Sequence, residues 1–156
     1  MSCIRSVSMM FLVGLSLGGF SACGSVLLNT PVTKSADGWK VTLSQVKEGP
    51  DEYIGEEVTL TPAKGEKYIW AVLTVRNEGA EEQTFTYDEC MLGEKGQGTA
   101  PLVVDRHLDR PATGDRAEAF PPGQERTRDL IYRYPKEQRP TRMKCGNIVL
   151  PIPGSR

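Results

Sequence analysis

The clearest alternation of hydrophobic and polar positions lies at residues 66–79, which read EKYIWAVLTVRNEG. Every second residue is apolar, as in a β-strand, and these residues are Ile69, Ala71, Leu73 and Val75. The intervening positions 68, 70 and 72 hold Tyr, Trp and Val, so the opposite face is largely apolar as well. A strand that is apolar on both faces is typical of the middle of a sheet. We therefore predict a central strand covered on both sides and ended by a turn at residues 77–79.

Shorter stretches with the same alternation occur on either side of the central strand. They predict strands at residues 39–44, 83–92, 99–104, 124–134 and 143–150, with a short edge strand near Val58 and Leu60. The alternation slips at Asp88 and Glu89, which predicts a β-bulge that turns Cys90 and Leu92 inward. Residues 93–98 are glycine-rich and predict a hairpin, whereas the charged residues 106–119 predict a long loop. About seven short strands with turns between them predict an all-β protein, an antiparallel β-sandwich.

The N-terminal segment has the pattern of an export signal. Arg5 precedes an apolar run at residues 9–17 that is too short to cross a bilayer. The following residues 20–23, Phe-Ser-Ala-Cys, resemble the lipobox of bacterial lipoproteins, although Phe20 replaces the usual aliphatic residue. The resemblance implies that Cys23 is diacylated and becomes the new N-terminus. Ordinary secretion with cleavage slightly downstream, or an uncleaved anchor, are the alternatives.

These features divide the chain of 156 residues into three parts. We expect a lipoprotein signal peptide at residues 1–22, a lipidated tether at 23–38 and a single β-sandwich domain at 39–153. Residues 26–28 are apolar and could either lie near the membrane or pack on the domain. The expected location is the cell envelope, outside the cytoplasm. Gly24 after the cysteine resembles an outer-membrane address in bacteria with two membranes.

The charge balance argues against nucleic acid as a partner. Removing Arg5 with the signal peptide leaves 18 basic residues against the 20 acidic ones, a net charge of −2. A charge of that size recruits neither nucleic acid nor anionic lipid through its overall field. The expected partners are the membrane, through the lipid anchor, and another envelope protein.

The cysteines predict one disulfide. Of the four cysteines, Cys3 leaves with the signal peptide and Cys23 carries lipid, so Cys90 and Cys145 remain. Exported proteins fold in an oxidising compartment, which favours a disulfide between these two over a pair of buried thiols. A metal site is not expected, because the chain has no C-x-x-C motif and only one histidine. We also expect no cofactor.

Two groups of polar residues are candidate binding sites. Asp105, His107 and Asp109 lie close together at the start of the predicted loop, where a histidine flanked by carboxylates could bind a metal or move a proton. A solvated loop without function is the simpler interpretation. Arg126 and Arg128 share a face of a predicted strand and could contact an acidic partner. An exposed sheet end, with no partner, is the interpretation we favour for them.

Four stretches together resemble a known family. They are residues 39–43 (WKVTL), 68–77 (YIWAVLTVRN), 83–87 (QTFTY) and 122–132, which begin Pro-Gly-Gln-Glu and end Leu-Ile-Tyr. In this order they resemble the telokin-like, immunoglobulin-like domain of uncharacterised function found on many bacterial lipoproteins. The resemblance spans residues 39–150 and implies an immunoglobulin-like sandwich displayed outside the cytoplasm, with protein or envelope binding and no catalytic residues. Cys90, Cys145 and the charged loop depart from the family's pattern.

The resulting hypothesis is a non-catalytic binding or structural module of the cell envelope, held by its lipid anchor. The alternative is a small metal-dependent or hydrolytic enzyme centred on the His107 loop.

Overall fold

The computed structural model describes residues 25–55, 59–107 and 113–153, and fourteen β-strands make up most of this described part. In chain order they are β1 (Val26–Leu28), β2 (Val32–Ala36), β3 (Trp39–Glu48), β4 (Tyr53–Ile54), β5 (Thr59–Leu60), β6 (Glu66–Asn77), β7 (Gln83–Thr86), β8 (Cys90–Glu94), β9 (Gln97–Thr99), β10 (Val103–Asp105), β11 (Ala117–Phe120), β12 (Glu125–Pro135), β13 (Arg142–Cys145) and β14 (Ile148–Pro151). The all-β prediction is confirmed, but the expected number of strands, about seven, is too low.

Two antiparallel sheets form the layers of the sandwich. The first has the order β1-β3-β6-β12-β10, with β2 also paired to β3, and the second has the order β14-β13-β8-β9. Two smaller pairs, β7 with β11 and β4 with β5, complete the fold. The main core lies between the layers, and residues from both sheets contribute to it, among them Leu43, Leu73 and Tyr132 from the first and Leu92, Met143 and Leu150 from the second.

The predicted central strand is confirmed as β6. It pairs with β3 along one edge and with β12 along the other, through almost its whole length. The four alternating residues 69, 71, 73 and 75 are fully buried in the main core. On the opposite face Tyr68 is buried in a second cluster with Tyr53, Val103 and Ile131, and Trp70 packs against that cluster. The β4–β5 pair contributes Tyr53 and Leu60 to this cluster and so covers part of the sheet's outer face.

The expected tether at residues 23–38 is wrong for its described part. Residues 26–28 and 32–36 form β1 and β2, which pair with opposite halves of β3. Leu27 and Leu28 lie in the core, whereas Val26 is exposed. Asp37 and Gly38 both have positive φ, 55° and 79°, which is the two-residue turn that fits a tight hairpin. The Asp-Gly pair therefore closes a β2–β3 hairpin instead of loosening a linker.

Three other expectations are corrected where the chain turns. Cys90 and Leu92 do point inward, but a 3₁₀ turn at Tyr87–Glu89 precedes them instead of a bulge and carries the chain from β7 to the second sheet. The predicted last strand is a hairpin, since Gly146 at φ 55° turns β13 back into β14. The loop predicted at 106–119 ends in β11, which pairs with β7. The hairpin predicted at 93–98 is confirmed as β8–β9.

The predicted disulfide is confirmed. Cys90 and Cys145 are bonded, lie opposite each other on β8 and β13, and are separated by 55 residues in sequence. Both are buried, so the bond sits within the core of the second sheet. It restricts the unfolded chain, which on the chain-entropy account stabilises the fold by about 4 kcal/mol for a loop of this length.

We expect the double variant Cys90→Ala/Cys145→Ala to unfold at a lower temperature, by on the order of 10 °C, because the unfolded chain regains its freedom. Calorimetry with and without reductant measures the shift. Reductant should lower the melting temperature of the wild type and leave that of the double variant unchanged. Equal melting temperatures for the wild type and the double variant would contradict a stabilising role.

Candidate functional site

The histidine of the sequence-based candidate site contacts a carboxylate from another strand. His107 follows β10 with a positive φ of 54°, and its Nδ1 lies 2.6 Å from Oδ1 of Asp129 on β12. The His107 side chain is 48% exposed and that of Asp129 is 19% exposed. The pair is therefore anchored by the sheet on one side and open to solvent on the other. Asp109, the third member of the predicted site, lies outside the described residues.

Asp105 joins the same cluster from β10. Its backbone lies directly opposite Asp129 in the β10–β12 pairing. Its side chain is buried, and its Oδ2 accepts a hydrogen bond from the Tyr53 hydroxyl at 2.9 Å. Burial and this hydrogen bond raise the pKa of Tyr53 well above its ordinary value, so the phenol stays protonated and donates. The structure thus brings Asp105 and His107 together with two groups distant in sequence, Asp129 and Tyr53.

The surroundings of Asp129 raise the pKa of its carboxyl. Burial raises the pKa of the Asp129 carboxyl, the hydrogen bond from His107 opposes that rise, and the nearby Asp105 adds to it. The net pKa is above the ordinary range. A histidine ring beside a carboxyl with a raised pKa can share and transfer a proton, which is the chemistry of acid–base pairs. The same pair can also serve only to hold the His107 turn against β12.

The second candidate pair, Arg126 and Arg128, belongs to an internal ion-pair network. Both arginines contact Glu118 of β11, with Arg126 Nη1 2.5 Å from Oε2 and Arg128 Nε 2.6 Å from Oε1. The Glu118 side chain is only 4% exposed, and the arginines are 30% and 14% exposed. Arg126 also lies over the Phe120 ring at 4.9 Å, a cation–π arrangement.

This network corrects the expectation of an exposed sheet end. The two guanidinium groups are half-buried and turned towards a carboxylate of the same chain, because that carboxylate would otherwise be buried without a counter-charge. Burial alone would raise the pKa of Glu118, but the hydrogen bonds and charges of Arg128 and Arg126 outweigh it and hold that pKa below its usual range. Glu118 is therefore ionised at neutral pH.

Sequence reasoning missed Asp129 and Glu118, although each left a weak signal. Asp129 stands inside a strand, where aspartate is disfavoured unless something holds it. Glu118 alternates with two alanines and shares a strand face with Phe120, which is fully buried. In both cases the deciding partner, His107 or the arginine pair, comes from a different strand or loop.

The described residues hold neither a cluster of metal ligands nor a membrane-spanning helix. No group of three or more His, Cys, Asp or Glu side chains there is placed to hold a metal ion. No helix in that part of the chain is long and apolar enough to cross a membrane. No protein-family model, curated protein or solved structure matches the chain.

We expect His107→Ala to raise the pKa of Asp129 further, because the hydrogen bond that favours its ionised form is lost. Carbon-detected NMR titration of the Asp129 carboxyl measures the change. The matched control is Arg106→Ala, which removes an exposed neighbouring charge and should leave the titration close to that of the wild type. A downward or absent shift in His107→Ala would show that the 2.6 Å contact does not stabilise the carboxylate.

We expect Glu118→Gln to destabilise the fold by roughly 3 kcal/mol at neutral pH, since two half-buried arginines lose their counter-charge. The pKa of Glu118 is lower in the folded protein than in the unfolded chain. Its ion pairs with the two arginines therefore stabilise the fold fully above about pH 4.3. That contribution is lost as the pH falls through the folded pKa. Urea unfolding at several pH values should therefore show a smaller loss for the variant in acid than at pH 7.

Glu125→Gln is the control for this experiment, because Glu125 is an exposed carboxylate on β12. It should change stability little at any pH. If the two substitutions change the free energy of unfolding equally, then neither the burial of Glu118 nor its two arginine partners explains how much Glu118 stabilises the fold.

Proposed function

We propose that the protein is a lipid-anchored, non-catalytic binding or structural module of the bacterial cell envelope, attached through Cys23. The observation that carries the proposal is the Cys90–Cys145 disulfide. A buried disulfide suits an oxidising compartment outside the cytoplasm. With Cys3 in the expected signal peptide, the disulfide leaves Cys23, which follows two small residues after an apolar run, as the cysteine available for acylation.

The path of the chain after Cys23 supports an anchor that holds the domain close to the membrane. The Ser25 carbonyl already accepts a hydrogen bond from the Glu48 backbone at 2.9 Å, and β1 begins at Val26. Three residue steps separate Cys23 from Val26, a reach of about 10 Å at most. The end of the sandwich where β3 finishes would therefore lie against the membrane surface.

The β-sandwich is compatible with the immunoglobulin-like domain that the sequence resembles, and membership of that lipoprotein family is part of the proposal. The ion-pair network at Glu118 supports a structural role for Arg126 and Arg128. The alternative, a hydrolytic or metal-dependent enzyme centred on His107, stays a prediction supported by the His107–Asp129 contact alone.

Expression in a bacterium that processes lipoproteins tests the anchor. We expect mass spectrometry of the mature protein to find acyl chains on an N-terminal Cys23, and detergent partitioning to place it with membrane proteins. Cys23→Ala should lose both the added mass and the membrane association. Cys3→Ala is the matched control, because Cys3 lies in the expected signal peptide and its loss should change neither. A mature N-terminus without acyl mass would remove the anchor from the proposal.

A further inference from the structure

A solvent-open cleft of about 230 Å³ lies at the end of the sandwich where β3 begins. Three separate parts of the chain form it: the β2–β3 turn with Asp37, the segment from β7 to Glu89, and the β13–β14 turn with Asn147. Asn147 donates a hydrogen bond to Asp37 at 2.9 Å and so ties two of these walls together. The cleft is therefore a formed feature of the fold and not a gap between independent loops.

Two aromatic rings contribute to the apolar part of the cleft, beside Ala36 and Ile148. Trp39 and Phe85 pack edge to face with their ring centroids 5.1 Å apart. Phe85 and the neighbouring Ile148 are 7% and 5% exposed, so they are held by the core beneath. Trp39 is only partly buried and also packs on Phe120, which fixes the orientation of its indole. The cleft thus presents an ordered aromatic surface, chiefly that of the Trp39 indole, to an entering group.

The charged groups at the cleft are all acidic. Among its described lining residues the ionisable side chains are Asp37 and Glu89, and no lysine or arginine lines it. Asp37 already accepts the hydrogen bond from Asn147, whereas the exposed Glu89 carboxylate makes no hydrogen bond or ion pair with a described residue. Its Oε2 lies 3.7 Å from the position that a Cβ on Gly146 would occupy, directly beside the turn. Glu89 is therefore a negative charge at the mouth of the cleft, with no counter-charge from the described part of the chain.

We propose that this cleft binds one basic side chain, an arginine or lysine presented by a partner protein. A cation on an apolar stem satisfies both parts of the cleft, because its stem and charge can lie on the aromatic rings while Glu89 and Asp37 accept its N–H groups. Arginine suits it better, since a planar guanidinium stacks on an indole and donates to a carboxylate at the same time. The volume also fits, because it lies below the range of roughly 300–1,000 Å³ that whole small-molecule ligands occupy.

The test is a titration of the full chain with N-acetyl-arginine methylamide, followed by NMR. We expect saturable shifts confined to the Trp39 indole, the Asn147 side-chain amide and their neighbours, with a Kd of about 1–10 mM for a single side chain. Binding should weaken as salt is added, because the charges are exposed to solvent. The lysine analogue should bind more weakly, and the uncharged citrulline analogue should not bind.

Glu89→Gln should weaken arginine binding at least 5-fold, a loss of about 1 kcal/mol, while its unchanged melting temperature shows that the fold is intact. Glu137→Gln is the control, because it removes the same charge from an exposed loop that does not line the cleft. Asp37→Asn tests the contribution of the second carboxylate to arginine binding, since asparagine preserves the turn and removes the charge. Equal binding of the arginine and citrulline analogues, no saturable shift, or full affinity in Glu89→Gln would each overturn the proposal.

Discussion

Burial of β6 on both faces, with a paired strand at each edge, is the constraint on which the rest of the structure depends. Its inner residues contact the second sheet, and its outer residue Tyr68 needs separate cover. A sheet that is apolar on both faces cannot leave one of them to water, since each large side chain left exposed forfeits roughly 1.5–3 kcal/mol. The short β4–β5 pair, which brings Tyr53 over this face, follows from that requirement, as does the second core cluster.

The same burial determines which polar groups at the edges of the core need a hydrogen-bond or ion-pair partner. A charged side chain that is buried there is paired with opposite charges, as Glu118 is with Arg126 and Arg128. Where only a hydroxyl enters, the fold tolerates a missing partner: Tyr68 and Tyr87 have buried hydroxyls without a hydrogen bond among the described residues. Each such hydroxyl costs about 1–3 kcal/mol, which burial of the aromatic ring can offset. An unpaired carboxylate in the same place would cost several times more, so the network at Glu118 is obligatory.

The sequence predicted what depends on local periodicity and missed what depends on contacts between distant segments. β6 was foreseen because its apolar alternation is long and uninterrupted. β12 was foreseen because the apolar residues at 130–134 follow strand spacing and are bounded by turn residues. β2 was missed because it is an edge strand of mainly exposed residues, held by backbone pairing with β3 and not by side-chain burial. The disulfide followed from counting cysteines, but the roles of Arg126 and Arg128 could not be foreseen. Their partner Glu118 lies in β11, inside the stretch that the sequence predicted as a loop, so neither its strand face nor its burial was foreseen.

The length of β3 sets the distance between the Ser25 contact and the acidic cleft, which lie at its two ends. Ser25 contacts Glu48 at one end of this strand, and Trp39 begins the acidic cleft at the other. Ten residues of strand at about 3.3 Å each separate these ends by roughly 30 Å. If Cys23 carries the anchor and β3 stands along the membrane normal, the cleft lies about three Debye lengths or more from the membrane surface. At that distance the negative potential of a lipid surface has decayed, so it would not compete with Glu89 for a basic side chain. The short connection at one end of β3 and the acidic cleft at the other are thus compatible with the proposed anchor.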